Sequence, residues 1–212
     1  MYEDIKVSVI TPTYSRAHLL LERSIPSVMA QGHQHWEMHI VGDGATPEVE
    51  AAMASITDPR VRFTQRPRQP YPDNSYEAWS CRGAAAINYG LDTMQGDYFC
   101  TLGDDDELMP NFMETLLTAI DHQDLDMVYG RSEIVGTGGY LGDGRPMCGS
   151  QTNIMLCCPT LVRQDPQCYI KGLPGDWMFM RDIIDSGVRW SFVPDVVHRY
   201  YPSTNVPGFS LE

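Results

Sequence analysis

The sequence predicts an α/β fold, a mainly parallel sheet flanked by helices, and three observations point to it. Short apolar runs recur at Ile5–Ile10, Glu37–Val41, Val61–Thr64 and Tyr98–Leu102. Longer stretches of helical period lie between them, so strands and helices alternate along the chain. Alternation of this kind implies right-handed β-α-β units and a sheet covered on both faces. Finally, these runs empty into polar loops at their C-terminal ends, the side on which such sheets bind ligands.

The elements follow in order. Ile5–Ile10 alternates as a strand and gives way to a loop at Thr11-Pro12-Thr13-Tyr14. An amphipathic stretch from about Ala17 to Gln31 contains Pro26, which calls for a kink or a restart with Ser24 as cap. Glu37–Val41 forms the second strand and runs into a turn at Gly42-Asp43-Gly44. Thr46-Pro47-Glu48 reads as an N-cap with proline at the first helical position, opening a helix to about Ser55. Val61–Thr64 is a third strand, and Arg66–Asn74, rich in Pro, Gln and Arg, a long exposed loop. One helix from about Tyr76 to Met94 leads to the fourth strand. Pro110–Ala119 opens another, with Phe112, Met113, Leu116, Leu117 and Ile120 at helical spacing. Met127–Gly130 reads as a strand, Gly136–Ser150 as a Gly-rich hairpin or mobile loop, Asp176–Ser186 as a helix and Trp190–Pro194 as a strand.

A chain of 212 residues suits one well-filled domain. The formal charge of −13 excludes a nucleic-acid backbone as partner, because phosphate binding needs clustered Lys and Arg. No apolar stretch is long enough to span a bilayer, and the N-terminus has no secretion signal. The six cysteines form no C-x-x-C pair, which argues against a zinc cluster or disulfide framework and for a reducing compartment. The expectation is a soluble, cytoplasmic protein, with the oligomeric state left open.

The fourth apolar run ends in Gly103-Asp104-Asp105-Asp106-Glu107. Adjacent aspartates repel one another and call for a cation. In extended chain Asp104 and Asp106 share one face while Asp105 points the other way. Two carboxylates on one face suit a hard divalent ion, Mn2+ or Mg2+, that also takes phosphate oxygens. Metal-assisted chemistry on a phosphorylated substrate follows as the leading idea.

Taken together, Val7–Arg16, then Trp36-Glu37 to Val41-Gly42-Asp43-Gly44, then Gly96-Asp97-Tyr98 to Asp104-Asp105-Asp106-Glu107-Leu108 resemble the family-2-type glycosyltransferases of the GT-A fold. The resemblance implies one GT-A catalytic domain over 1–212. Residues 1–130 would be its nucleotide-sugar-binding half and 131–212 its acceptor-binding half, with a longer parent polypeptide allowed. It implies a UDP-sugar donor, a glycan or glycoconjugate acceptor, and inversion favoured slightly over retention. Thr11, Pro12 and Tyr14 would line the nucleoside pocket and Asp43 would hydrogen-bond the base. Asp104 matches the first position of the family's D-x-D, near ribose and metal, and Asp106 the second, a direct metal ligand. Asp105 would shape the loop on the nucleotide-sugar side. Asn88 lies in Ala86–Gly90, similar to the family's A-R-N-x-G helix, but Ile87 replaces its basic residue. Arg82 would supply that charge to the diphosphate, with Arg68 a further candidate. Gly175-Asp176-Trp177 resembles the E-D-W segment, which makes Asp176 the catalytic base, with Gly175 in place of Glu. His198, in a segment similar to the family's closing strand, would be a third metal ligand. The rival readings are a nucleotidyltransferase and a non-catalytic sugar-nucleotide or glycan-binding module.

Overall fold

The computed structural model describes residues 2–145 and 155–202. Among the described residues nine strands join in one sheet: β1 (Val7–Thr13), β2 (Trp36–Asp43), β3 (Val61–Arg66), β4 (Tyr98–Thr101), β5 (Glu107–Leu108), β6 (Met127–Ile134), β7 (Gly139–Leu141), β8 (Met155–Cys157) and β9 (Trp190–Tyr200). Their order is β3-β2-β1-β4-β8-β6-β9-β5, with β7 hairpinned onto β6. The first four strands are parallel, whereas β8 runs antiparallel between β4 and β6. Every residue of β2 and nearly every one of β1 is buried, as expected where helices cover both faces of a sheet. Among the described residues no helix is long and apolar enough to cross a membrane, and the five described cysteines are free. Cys148 and the part of Gly136–Ser150 beyond Arg145 lie outside the described residues.

Several elements differ from the sequence expectation for identifiable reasons. The Ala17–Gln31 stretch does not restart at Ser24, which has helical backbone angles and makes no side-chain cap. Instead α1 (Ala17–Leu19) widens into a π turn over Leu20–Ser24 before α2 (Ile25–Met29). Pro26 has no N–H, and its ring needs room one turn back. A π turn provides that room without ending the helix. Pro47 opens α3 (Pro47–Ala54) as expected, although Thr46 makes no side-chain cap.

The single helix expected over Tyr76–Met94 is two, α4 (Ser75–Ser80) and α5 (Ala84–Thr93). They are split at Gly83, whose φ of 76° only glycine adopts readily, and whose absent side chain lets Pro12 approach. α6 (Phe112–Gln123) and α7 (Gly175–Asp185) are the remaining α-helices among the described residues. The strand expected over Trp190–Pro194 extends well past Pro194 because β9 pairs in parallel with β6 and antiparallel with β5.

A buried histidine gives the fold a pH dependence. His39 on β2 is 2 % exposed, with Thr64 Oγ1 3.0 Å from Nε2 and Thr93 Oγ1 3.1 Å from Nδ1. Burial, aided by Arg62, lowers its pKa from 6.5 to about 4. Above pH 6.5 the ring is neutral in both states. As pH falls from there toward 4, the unfolded chain takes a proton that the folded ring refuses, and stability drops by about 3 kcal/mol in all. Urea unfolding at stepped pH is expected to show this slope in the wild type and a flatter one in His39→Gln. Equal slopes would refute the assignment.

Candidate active site

Strand register assembles the site. Thr13 at the end of β1 lies opposite Gly42, which sets Asp43 beside it at the end of β2. Ile10 pairs with Thr101 of β4, so counting on by three puts Asp104 level with Thr13. Thr13 Oγ1 accordingly donates to Asp104 at 2.8 Å. A cleft of about 380 Å³ opens at these strand ends, lined among others by Pro12, Tyr14, Asp43, Arg82, Asp104 and Asp105. Six of the eight residues expected to bind the nucleotide sugar therefore meet there. Thr11 is not among them: it is fully buried, and its hydroxyl has no hydrogen-bond partner among the described residues. Asn88 instead exchanges two 2.8 Å hydrogen bonds with the backbone of Gln164, tying α5 to the segment before α7.

Asp43 is 4 % exposed and held by the 66–74 loop. Its carboxylate accepts from the Gln69 backbone N–H (2.6 Å), from the Tyr71 hydroxyl and from Arg68 (3.4 Å). Burial and the bond to Asp43 raise the Tyr71 pKa, so the phenol stays a donor. The loop is thus anchored rather than simply exposed. Gln69 is buried and also bonds Ala85 N–H and the Cys81 carbonyl. The Arg68 guanidinium lies over Tyr14, 3.6 Å from the ring centroid, and 4.8 Å from that of Tyr71. A cation-and-ring cluster therefore covers one end of the cleft.

The acidic loop departs from its expected geometry. Asp104 and Asp105 lie in a tight turn, and Asp106 N–H bonds back to the Gly103 carbonyl at 3.4 Å, so extended-chain alternation does not apply. One guanidinium, that of Arg16, meets both Asp104 (3.0 Å) and Asp105 (2.7 Å). Asp106 turns the other way, accepts from Tyr201 N–H at 2.9 Å, and faces His198 Nε2 at 3.7 Å. Gly103 makes this possible, since a Cβ there would stand 2.9 Å from an Asp106 carboxylate oxygen. Burial raises the pKa of Asp104, and raises that of Asp106 far more, with Asp105 adding repulsion.

Of the three expected metal ligands, Asp106 and His198 come together and Asp104 is engaged by Thr13 and Arg16. Among the described residues no three His, Cys, Asp or Glu side chains converge on one point. His198 is fully buried, burial lowers its pKa to about 3, and its Nε2 has no hydrogen-bond partner among the described residues. A bare imidazole nitrogen facing a buried carboxylate fits a cation held between them, with ligand types that Mn2+ accepts.

Asp176 sits in the first turn of α7, its Oδ1 accepting from Trp177 N–H at 2.8 Å. Gly175 has no room for a side chain, because a Cβ would lie 3.1 Å from the Ser80 carbonyl oxygen and 3.2 Å from Cys168 Sγ. This close packing pins the start of α7 to α4, next to the Arg82–Gly83 turn of the cleft. Tyr200 links the regions: burial raises its pKa, as do the charges of Asp106, Asp105 and Asp176. Sequence reasoning gave no role to Arg16, Thr13, Tyr71 or Tyr200. The one available signal was the place of Thr13 and Arg16 in the first quoted motif.

Comparison with known proteins bears on the family and the fold. The glycosyl transferase family 2 model matches residues 8–185. The chain belongs to that family. An uncharacterized glycosyltransferase of Rickettsia conorii is 31 % identical over 136 residues, 63 % of this chain and 20 % of that protein. The TarS 1–349 fragment of S. aureus, solved with UDP, superposes with a TM-score of 0.72 at 16 % identity, over 94 % of this chain and 61 % of that one. The mannosyltransferase PcManGT of Pyrobaculum calidifontis, solved with GDP-Man and Mn2+, gives 0.64 at 16 % identity, over 94 % and 57 %. The fold of this family 2 member is GT-A, and the chain spans only a fifth of the Rickettsia relative's length.

Proposed function

We propose that the chain transfers a sugar from a nucleoside-diphosphate sugar, a UDP-sugar, to a hydroxyl of a glycan or glycoconjugate, releasing the nucleoside diphosphate. The observation that carries this reading is the cleft where Tyr14, Asp43, three arginines and the acidic loop share one volume. UDP in the TarS complex supports the nucleotide, and Mn2+ in the PcManGT complex supports the ion.

Tyr14, 44 % exposed and with Arg68 over one side of its ring, offers a base the opposite face. Asp43, fixed by three donors, keeps acceptor capacity for a base N–H. Arg68 and Arg82 set positive charge along the cleft for the diphosphate, in a chain otherwise strongly acidic. Arg16 holds Asp104 and Asp105 in place. A divalent cation bound by Asp106 and His198, with Asp104 nearby, would supply Lewis-acid stabilisation of the charge on the departing diphosphate. Asp176 takes the proton from the acceptor hydroxyl as that oxygen attacks the anomeric carbon, a single displacement that inverts configuration.

The test is a panel of UDP, GDP and their sugars, with Mn2+ or with EDTA, scored by thermal unfolding and by nucleotide release. UDP at a hundredfold its Kd is expected to add about 2.7 kcal/mol of stability when Mn2+ is present. No shift with any nucleotide would sink the reading. Binding without turnover on any acceptor would instead favour a sugar-nucleotide-binding module.

A further inference from the structure

Ser132 on β6 has no role in the reading above and is fully buried. Its hydroxyl lies 2.7 Å from Nδ1 of the equally buried His198. The strands are shaped to bring the two together. β6 and β9 keep register to Tyr129 opposite Phe192, then slip twice, so that Arg131 meets Val196 and Ser132 meets His198. The first slip leaves extra residues on β9 around Pro194 and Asp195 and the second leaves Val197, and such bulges re-aim the side chains that follow. β6 meets the bulge with Gly130, where a Cβ would stand 2.6 Å from Val197 Cγ2 and 3.2 Å from the Asp195 carbonyl oxygen. On its other edge β9 pairs Leu108 of β5 with His198, two residues after Asp106. The imidazole is thereby clamped between Ser132 and the acidic loop.

A neutral imidazole donates from one nitrogen and accepts at the other. If the hydroxyl donated to Nδ1, Nε2 would carry a buried N–H, 3.7 Å from the Asp106 carboxylate and out of hydrogen-bond range. If Nδ1–H donates to Ser132, Nε2 presents its lone pair toward Asp106, the form in which imidazole binds a divalent ion. We propose that Ser132 is a positioning residue: by accepting Nδ1–H it fixes the tautomer and orientation of His198, and so sets the affinity of the Asp106–His198 pair for a divalent cation. This rests on the metal reading of Asp106 and His198.

The test measures Mn2+ affinity from the electron paramagnetic resonance signal of the free ion, for wild type, His198→Ala, Ser132→Ala and Ser132→Cys. UDP affinity in EDTA is measured alongside. Cysteine nearly keeps the volume of serine but is a weak hydrogen-bond partner, which guards against a cavity effect and against an alanine variant that fails to fold. All three variants are expected to bind Mn2+ about tenfold or more weakly, with metal-free UDP affinity unchanged in the Ser132 pair. If His198→Ala weakens Mn2+ binding and the Ser132 variants do not, the positioning role falls while His198 remains a ligand. Loss in Ser132→Ala alone, or an equal loss of metal-free UDP binding, marks a packing effect and also overturns it. An unchanged His198→Ala overturns the metal reading itself, and the proposal with it.

Discussion

Asp176→Asn is expected to lower turnover by about 10²–10⁴-fold, with donor affinity within a few fold of wild type. The amide is nearly isosteric and cannot take a proton. Its oxygen still accepts the Trp177 N–H that Asp176 Oδ1 accepts now. The helix start is fixed independently, by the contact of Gly175 with Ser80 and Cys168. Position and electrostatics both direct the loss to chemistry rather than binding. Asp176 is not among the residues lining the nucleotide cleft, yet its charge reaches Tyr200 together with those of Asp105 and Asp106. Steady-state release of UDP, with donor and acceptor varied separately, separates the two effects. Turnover within a few fold of wild type would remove Asp176 as the base, and a matching loss of donor affinity would move it to the binding site.

The parts of the fold legible in the sequence were those with a local cause. Strand runs, the helix at Pro47 and the polar loops at strand ends all follow from periodicity and turn chemistry, and they place Asp43 and Asp104 on one rim. Features that depend on a distant partner stayed hidden. β8, described over Met155–Cys157, exists because β4 and β6 each offer it an edge. The length of β9 comes from its pairing with β6 and β5. At the site, Asp104 and Asp106 were expected on one face because extended chain alternates. The tight turn at Asp104-Asp105 and the missing side chain of Gly103 cancel that rule, and Arg16 pairs with a neighbouring pair of carboxylates instead. The break at Gly83 was readable from the glycine itself, but the need for it comes from Pro12 across the cleft. Ser132 gave no signal, since an isolated serine on a strand acquires meaning only once a bulge places His198 beside it.

Asp106→Asn is expected to cut metal-dependent turnover by about 10³-fold and, in EDTA, to raise the melting temperature. The two changes have opposite signs for one reason. Asp106 is 3 % exposed, and burial with repulsion from Asp105 and Asp104 drives its pKa well above the ordinary value. The folded state thus holds a carboxylate that it would prefer to protonate, a cost present at neutral pH and relieved as pH falls through the raised pKa. An asparagine removes that cost and keeps the acceptor for Tyr201 N–H. It also removes the anionic oxygen that faces His198 Nε2, and with it the proposed cation site, whose occupation would outweigh that cost. Wild-type melting temperature should therefore rise on adding Mn2+ with UDP, while Asp106→Asn starts higher and responds to UDP alone. A variant less stable than wild type in EDTA would mean that Asp106 is a structural acceptor whose charge the fold already satisfies. Retained Mn2+-dependent turnover would move the ligand role elsewhere in the loop. The combination of a stability gain with loss of function identifies a residue kept charged for its chemistry, against the preference of its own surroundings.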